Sequence, residues 1–394
     1  MPATVTFVLV IVGLVMVFSA SSAEAVLRGQ NPLSLVLKQL AAAGVGFFVY
    51  MAASRLRPGA LRHLAAPAFV LSLALLALVR LPGVGTKVNG ARRWIDLGVV
   101  QLQPSELAKV ALVLWIAAMF APRRRRSSPP LVPVLCGTAL MAGLVVVEPD
   151  LGTAMVVVLT SISLLFLGGV ARKVIVQLLA GGALLVTIVA VTVPYMQQRL
   201  LTFIDPWADP QGAGFQTVHA LMAIGSGGWW GVGPGNGLQK ISYLPEAHTD
   251  MIAATIGEEF GLIGLGCVIL LFAMLVFGGL RIANAARTPH ERLIAGGLTC
   301  MIGVQACINL GAVLGMLPIT GIPLPFISYG GTSLVVFLAA SGILVNIGRR
   351  ASVPVSAAER ERDAAREGDD RSGRNGRARD ASAGRRRGAQ TAWR

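Results

Sequence analysis

His248, Thr249 and Asp250 stand in a row immediately before an apolar run that starts at Met251. A carboxylate placed within reach of a substrate hydroxyl is a general base, and a neighbouring imidazole and hydroxyl suit the same proton-transfer chemistry. Helix capping by Thr249 or Asp250 explains these residues without any chemistry. Their company favours a site: Glu246 precedes them, and Glu258 and Glu259 follow about two turns into the apolar run. Positive charge comes from elsewhere. Lys87, Arg92 and Arg93 fall within one short stretch, and a guanidinium fork matches phosphate. Surface contacts anchored by Trp94 explain those three equally well. Glu106 and Lys109 are spaced to share one face of a helix that starts near Pro104.

The elements that must position these groups are membrane spans. Only 13% of the 394 residues are charged and 54% are hydrophobic, against roughly 25% charge in a soluble domain. Mean hydropathy is +0.69. Apolar stretches long enough to cross a bilayer lie near 4–20, 34–53, 64–80, 104–121, 131–148, 151–170, 174–195, 251–280, 292–316 and 329–348. The expectation is an all-α integral membrane protein with ten transmembrane helices. With ten spans, Arg55 to Arg62, Arg123 to Arg126, Arg172 with Lys173, Arg281 to Arg292, and Arg349 with Arg350 all fall on one side. That side is cytoplasmic, with both termini on it. The net charge of +15 is therefore read as loop charge, not as a nucleic-acid surface. At membrane depth each charge costs ~2.5–3.5 kcal/mol, so Glu106 and Lys109 are expected to face a polar cavity inside the bundle.

Residues 1–350 form the expected membrane domain, and 351–394 a disordered, basic cytoplasmic tail too poor in apolar residues to fold. The run Val5 to Phe18 ahead of small residues resembles a signal peptide, but no Lys or Arg precedes it, so a retained first span is expected. Cys136, Cys267, Cys300 and Cys307 lie in apolar runs without a C-x-x-C pair, so no zinc site is expected.

Three outer segments remain: 81–103, a large extracytoplasmic loop at 196–250 between helices 7 and 8, and 317–328. Asp150 is placed to cap span six. The glycines of 231–237 follow no strand and suit tight turns better than a nucleotide loop. Trp229 and Trp230 read as interfacial anchors. Pro318, Pro323 and Pro325 break helix continuity ahead of Ser328 and Gly330-Gly331, and irregular backbone at that depth needs a protein or polar-cavity lining.

Six motifs in order, Asn-Gly-Ala-Arg-Arg-Trp at 89–94, Gln-Pro-Ser-Glu-Leu-Ala-Lys at 103–109, Glu-Pro-Asp-Leu-Gly-Thr at 148–153, Tyr-Leu-Pro-Glu-Ala-His-Thr-Asp at 243–250, Gly-Glu-Glu-Phe-Gly at 257–261 and Pro-Leu-Pro-Phe-Ile-Ser-Tyr-Gly-Gly at 323–331, resemble the signatures of the SEDS family. The resemblance covers all ten spans. It implies polymerisation of lipid II into peptidoglycan glycan strands on the outer face of the bacterial inner membrane, with Asp250 as the essential aspartate. Met16 to Ser21 and Gly225 to Gly233 look closer to the FtsW division type than to its elongation relative RodA, and 318–322 is also similar to sporulation-type members. The substrate-binding set expected here is Arg92, Arg93, Glu106, Lys109, Glu246, His248 and Ser328. The strand linked to polyprenyl pyrophosphate is the donor and lipid II the acceptor, with Arg92 or Arg93 and Lys109 neutralising the pyrophosphate. No ligand cluster demands a cofactor, although a divalent cation (Mg or Mn) would suit that leaving group. A class B penicillin-binding transpeptidase, other divisome membrane proteins and membrane lipids are the expected partners. A lipid II flippase, a non-catalytic divisome scaffold and an elongation-type enzyme are the alternatives.

Overall fold

The computed structural model describes residues 1–88 except 28 and 30, 91–96, 98, 101–120, 129–192, 194–241, 244 and 246–352. The tail beyond residue 352, the arginines at 123–126, and Asn89, Gly90, Tyr243 and Pro245 of the motifs lie outside the described residues.

Helices dominate. They are α1 (Pro2–Leu27), α2 (Ser34–Ala53), α3 (Pro58–Leu78), α4 (Pro104–Phe120), α5 (Leu131–Val147), α6 (Leu151–Leu167), α7 (Arg172–Thr192), α8 (Pro194–Ile204), α9 (Phe215–Gly227), α10 (Ile252–Ala285), α11 (Pro289–Val313) and α12 (Gly331–Ser352). A helix lies at each stretch expected to span. Six of them, α1, α2, α3, α10, α11 and α12, are long and apolar enough to cross a membrane by length and composition, and α5 and α6 are shorter apolar helices. Phe48, Val70 and Val191 are 74%, 63% and 65% exposed. Side chains of that kind on the outside of α2, α3 and α7 need lipid as their solvent. The buried faces of α11 and α12 carry Gln305, Asn309, Ser341 and Asn346, polar groups that pair within the bundle.

The first outer segment corrects the all-α expectation. Strands β1 (Gly85–Val88), β2 (Ala91–Asp96) and β3 (Gln101–Leu102) form an antiparallel sheet in the order β1-β2-β3. Val88 pairs with Ala91, so the Asn-Gly dipeptide between them is the hairpin signal in the sequence. The second outer segment contains α8, a 3-10 turn at Pro206–Ala208 and α9.

α10 breaks at Gly261, which has φ 67° and ψ −171°. The residues 228–233 fill the break. Val232 and Gly233 donate to the carbonyls of Glu258 and Glu259 at 3.0 and 3.1 Å, and Leu262 donates to Gly228 at 2.9 Å. A Cβ on Gly231 would stand 2.2 Å from the Glu259 carbonyl oxygen, and one on Gly261 2.4 Å from that of Trp229. Both positions require glycine for this close approach, beyond their positive φ.

Candidate active site

Asp250 is 8% exposed and is not used as a cap: the α10 N-cap is Met251, without a side-chain cap bond. Thr249 turns the other way, its hydroxyl shared between the Glu246 carbonyl and Glu246 Oε2, both at 3.0 Å, and Asp250 Oδ1 at 3.3 Å. Capping therefore does not account for either residue. Burial first, then the charge of Glu246, pushes the Asp250 carboxyl up to about 7, opposed by hydrogen bonds that include Thr249 and Gln216. Glu246 itself is exposed and holds φ at 56°. Its carbonyl accepts from the amides of Thr249 and Met251, so its backbone conformation shapes the turn that presents Asp250. A non-glycine residue held there stores strain of the kind that gathers at functional sites.

Two amides on α11 tie this turn to the rest of the site. Asn309 Nδ2 donates to the carbonyls of Asp250 and Ile322, both at 2.8 Å. One turn earlier, Gln305 Nε2 donates to the Pro323 carbonyl at 2.9 Å, while its Oε1 accepts from Lys109 Nζ. Lys109 also donates to Glu106 Oε1 at 2.8 Å and lies 5.2 Å from the Phe337 ring centroid. The side chains of the pair are each 1% exposed. Asn309 thus ties the Asp250 backbone to Ile322, and Gln305 ties the adjacent Pro323 to Lys109 and Glu106. Sequence reading missed both amides, although a Gln and an Asn four residues apart in an apolar helix mark one polar stripe.

The irregular segment 317–330 is pinned throughout, which is how non-helical backbone survives at this depth. Arg199 of α8 donates to Ile319 O at 2.7 Å. Gln39 of α2 donates to Ser328 O at 3.1 Å and accepts from Gly330 N at 3.2 Å. Ser328 Oγ accepts from Leu324 N at 2.7 Å, so this hydroxyl, expected to meet substrate, closes a turn. Gly13 of α1 lets the segment lie against it: a Cβ there would stand 2.6 Å from Phe326 O. The His248 carbonyl accepts from Tyr329 N at 2.9 Å, and the two rings lie 5.6 Å apart. A Cβ on Gly321 would stand 3.9 Å from Asp250 Oδ2, so the segment borders the carboxyl.

The basic hairpin is held by its two ends. Thr332 donates to Gln101 O at 2.6 Å and accepts from Gln103 N at 3.2 Å. Arg93 Nε donates to Glu148 O at 2.9 Å and a second guanidinium nitrogen to Pro149 O. Arg93 was expected to meet phosphate; its fork instead caps the carbonyl end of α5. Arg92 lies on the same strand, partly exposed. Asp150 caps α6 as expected, accepting from Thr153 N at 3.0 Å and Thr153 Oγ1 at 2.9 Å.

Glu258 and Glu259, expected beside Asp250, serve the glycine-rich loop. Glu258 Oε1 accepts from the amides of Leu238 and Gln239 at 2.7 and 3.0 Å. Glu259 pairs with Lys240 and accepts from Ser19 and Gly235. Among the described residues no three His, Cys, Asp or Glu side chains gather to hold a metal ion, and the steps derived below use protein groups alone.

The family model of the FtsW, RodA and SpoVE cell cycle proteins matches residues 1–353. The chain belongs to that family. Over 352 residues it is 42% identical to the probable peptidoglycan glycosyltransferase FtsW of Alkalilimnicola ehrlichii, covering 85% of each chain. It is similar to a chain of the solved structure described as "Structural coordination of polymerization and crosslinking by a peptidoglycan synthase complex", with a TM-score of 0.74, 32% identity, and 90% of this chain and 98% of that one covered. The rod shape determining protein RodA of Thermus thermophilus matches with a TM-score of 0.65 and 30% identity over 90% of this chain and 97% of its own. Membership of this family, together with the apolar helices, makes the chain a multi-pass membrane protein.

Proposed function

We propose that this FtsW/RodA/SpoVE family member is a peptidoglycan glycosyltransferase that polymerises lipid II by inverting glycosyl transfer, with Asp250 as general base. The observation that carries the reading is a buried carboxyl, spent on no helix cap, whose backbone is fixed by Asn309 and whose proton affinity lies near neutrality. A base with pKa near working pH combines sufficient ionisation with sufficient basicity.

Asp250 removes the proton of the GlcNAc 4-hydroxyl of lipid II as that oxygen attacks C1 of the growing strand. The new glycosidic bond forms as the bond from C1 to the polyprenyl pyrophosphate breaks, and the pyrophosphate leaves with the bonding electrons. Arg92 meets the developing negative charge. Arg93, committed to two backbone carbonyls, holds the hairpin that carries Arg92. Lys109 and Glu106 are enclosed and act at one remove, through Gln305 and the 317–330 segment. His248 and Glu246 line the turn around Asp250, and Ser328 shapes the opposite wall.

The ten helices at the expected stretches support a ten-span topology with both termini and the arginine-rich loops cytoplasmic and the Asp250 site extracytoplasmic in the bacterial inner membrane. The family is described as cell cycle proteins and the RodA relative as a rod shape determining protein; the Met16–Ser21 and Gly225–Gly233 motifs favour division. A class B penicillin-binding transpeptidase is the proposed partner, since a similar chain was solved in a peptidoglycan synthase complex. The break in α10 also suits a lipid II flippase, because transporters build their sites from broken helices. The groups freed here are spent on residues 228–233, which favours the polymerase.

The test is incubation of purified protein, with and without the transpeptidase, with labelled lipid II. Polymer from wild type and none from folded Asp250→Asn is expected. Absence of polymer from a folded wild-type complex, with lipid II crossing a liposome bilayer, would replace the polymerase by the flippase.

A further inference from the structure

Lys240 and Glu259 close a ring of chain with Asp250 midway round it. Lys240 Nζ lies 2.5 Å from Glu259 Oε1, across 19 positions of sequence. The pair is 2% and 0% exposed at its side chains. Ser19 of α1 completes the closure: its hydroxyl donates to the Glu259 carboxylate, with oxygens at 2.6 and 2.8 Å, and accepts from Lys240 Nζ at 3.0 Å. Gly235 contributes from both ends, its amide donating to Glu259 Oε2 at 3.0 Å and its carbonyl accepting from Lys240 at 2.9 Å. Next door, Glu258 Oε1 holds the amides of Leu238 and Gln239, and the Gln239 carbonyl accepts from Leu244 N at 2.7 Å. From Leu244 the chain enters the Glu246 turn that ends at Asp250.

A buried ion pair is weak support for stability, because well-packed apolar residues do as well or better. Its value lies in specifying one geometry. This one fixes the upstream end of the Asp250 segment to the helix that continues its downstream end, at the point where that helix breaks. We infer that Lys240, Glu259 and Ser19 form a positioning clamp that sets where Asp250 stands relative to the reacting hydroxyl, without touching substrate. The inference rests on Asp250 being the base and adds residues that govern it. Cutting the clamp leaves the ring to the two Glu258 bonds and loosens the stretch between Lys240 and Asp250, and a misplacement of ~1 Å at a base costs about 100-fold in rate.

The test compares Glu259→Gln and Ser19→Ala with wild type in the full-length protein and its transpeptidase complex. Two readouts are used, amide hydrogen exchange and lipid II polymerisation kinetics. For Glu259→Gln, exchange across 235–250 should rise at least about tenfold while α11 and α12 stay protected. kcat should fall about 100-fold with KM within about twofold. Ser19→Ala, which keeps both charges, should show the same pattern at smaller amplitude. The reversed pair Lys240→Glu with Glu259→Lys should recover part of kcat. Unchanged exchange, or normal kcat with loosened exchange, would overturn the clamp. If Glu259→Gln does not fold, Ser19→Ala decides on the same two readouts. If wild type makes no polymer yet exchange rises in the variants, the clamp stands and the polymerase reading of Asp250 falls.

Discussion

Asp250 and Glu259 lie nine positions apart, and both are buried carboxylates near the start of α10, yet their surroundings differ in kind. Glu259 is met by an ammonium group, a hydroxyl and a backbone amide. Asp250 has a backbone amide, a hydroxyl at 3.3 Å and the Gln216 side chain but, among the described residues, no cation, and burial, then a like charge, raises its proton affinity. The first carboxylate has its charge consumed by structure. The second is costly to ionise and takes up a proton near neutrality. Burial alone does not separate a scaffold acid from a working one; the partners do.

The comparison breaks first, and by the largest margin, at Asp250→Asn. Polymerisation should drop about 10³-fold or more, with thermal stability held or improved. An equal loss of stability would make Asp250 a second scaffold acid. Lys109→Met should behave as the opposite extreme. It strands Glu106 without its cation, at ~3–5 kcal/mol, which a thermal-shift or denaturant titration in detergent reads as a lower midpoint. Gly261→Ala tests the loop seated in the α10 break: its Cβ would meet the Trp229 carbonyl at 2.4 Å, and overpacking of that kind costs ~1–3 kcal/mol. Acid pH sharpens the contrast. Asp250 must be ionised to act, so kcat should fall towards tenfold per unit below its pKa of about 7. Stability runs the other way: the group's folded pKa is raised from 3.8, so its contribution is present at low pH and lost as pH rises through about 7. Asp250→Asn should therefore gain on wild type in melting temperature above that pH. Ser328→Ala should do least, about 0.5–1.5 kcal/mol, because it removes one hydrogen bond to Leu324 N and no charge.

Helix positions were readable because lipid-facing sequence leaves long apolar runs, and the arginines between them mark ends. The proposal of Asp250 draws on its neighbours in a motif. The hairpin was missed although Asn89-Gly90 sits between Val88 and Ala91, because surrounding membrane spans drew the reading towards helix and loop. Arg93 and Ser328 were assigned to ligand when their partners are backbone carbonyl and amide groups more than fifty positions away and four positions away, respectively. Residue type announces what a group can bind, and only the fold says which binding is already taken. Gln305, Asn309 and Lys240 were silent for the same reason: each finds its role through partners far along the chain or in a segment with no periodicity.

α1 is made well before the partners of its polar groups. Thr6 pairs with Ser341 across 335 positions, Ser19 with Glu259 across 240, and Gly13 receives the backbone of Phe326 and Ile327. Until Glu259 and Ser341 are made, Ser19 and Thr6 lack these partners. The seam between α1 and α12 closes only once α12 is made. A chain halted before residue 240 would offer Ser19 neither Lys240 nor Glu259, and the seam on α1 would stay open along its polar face.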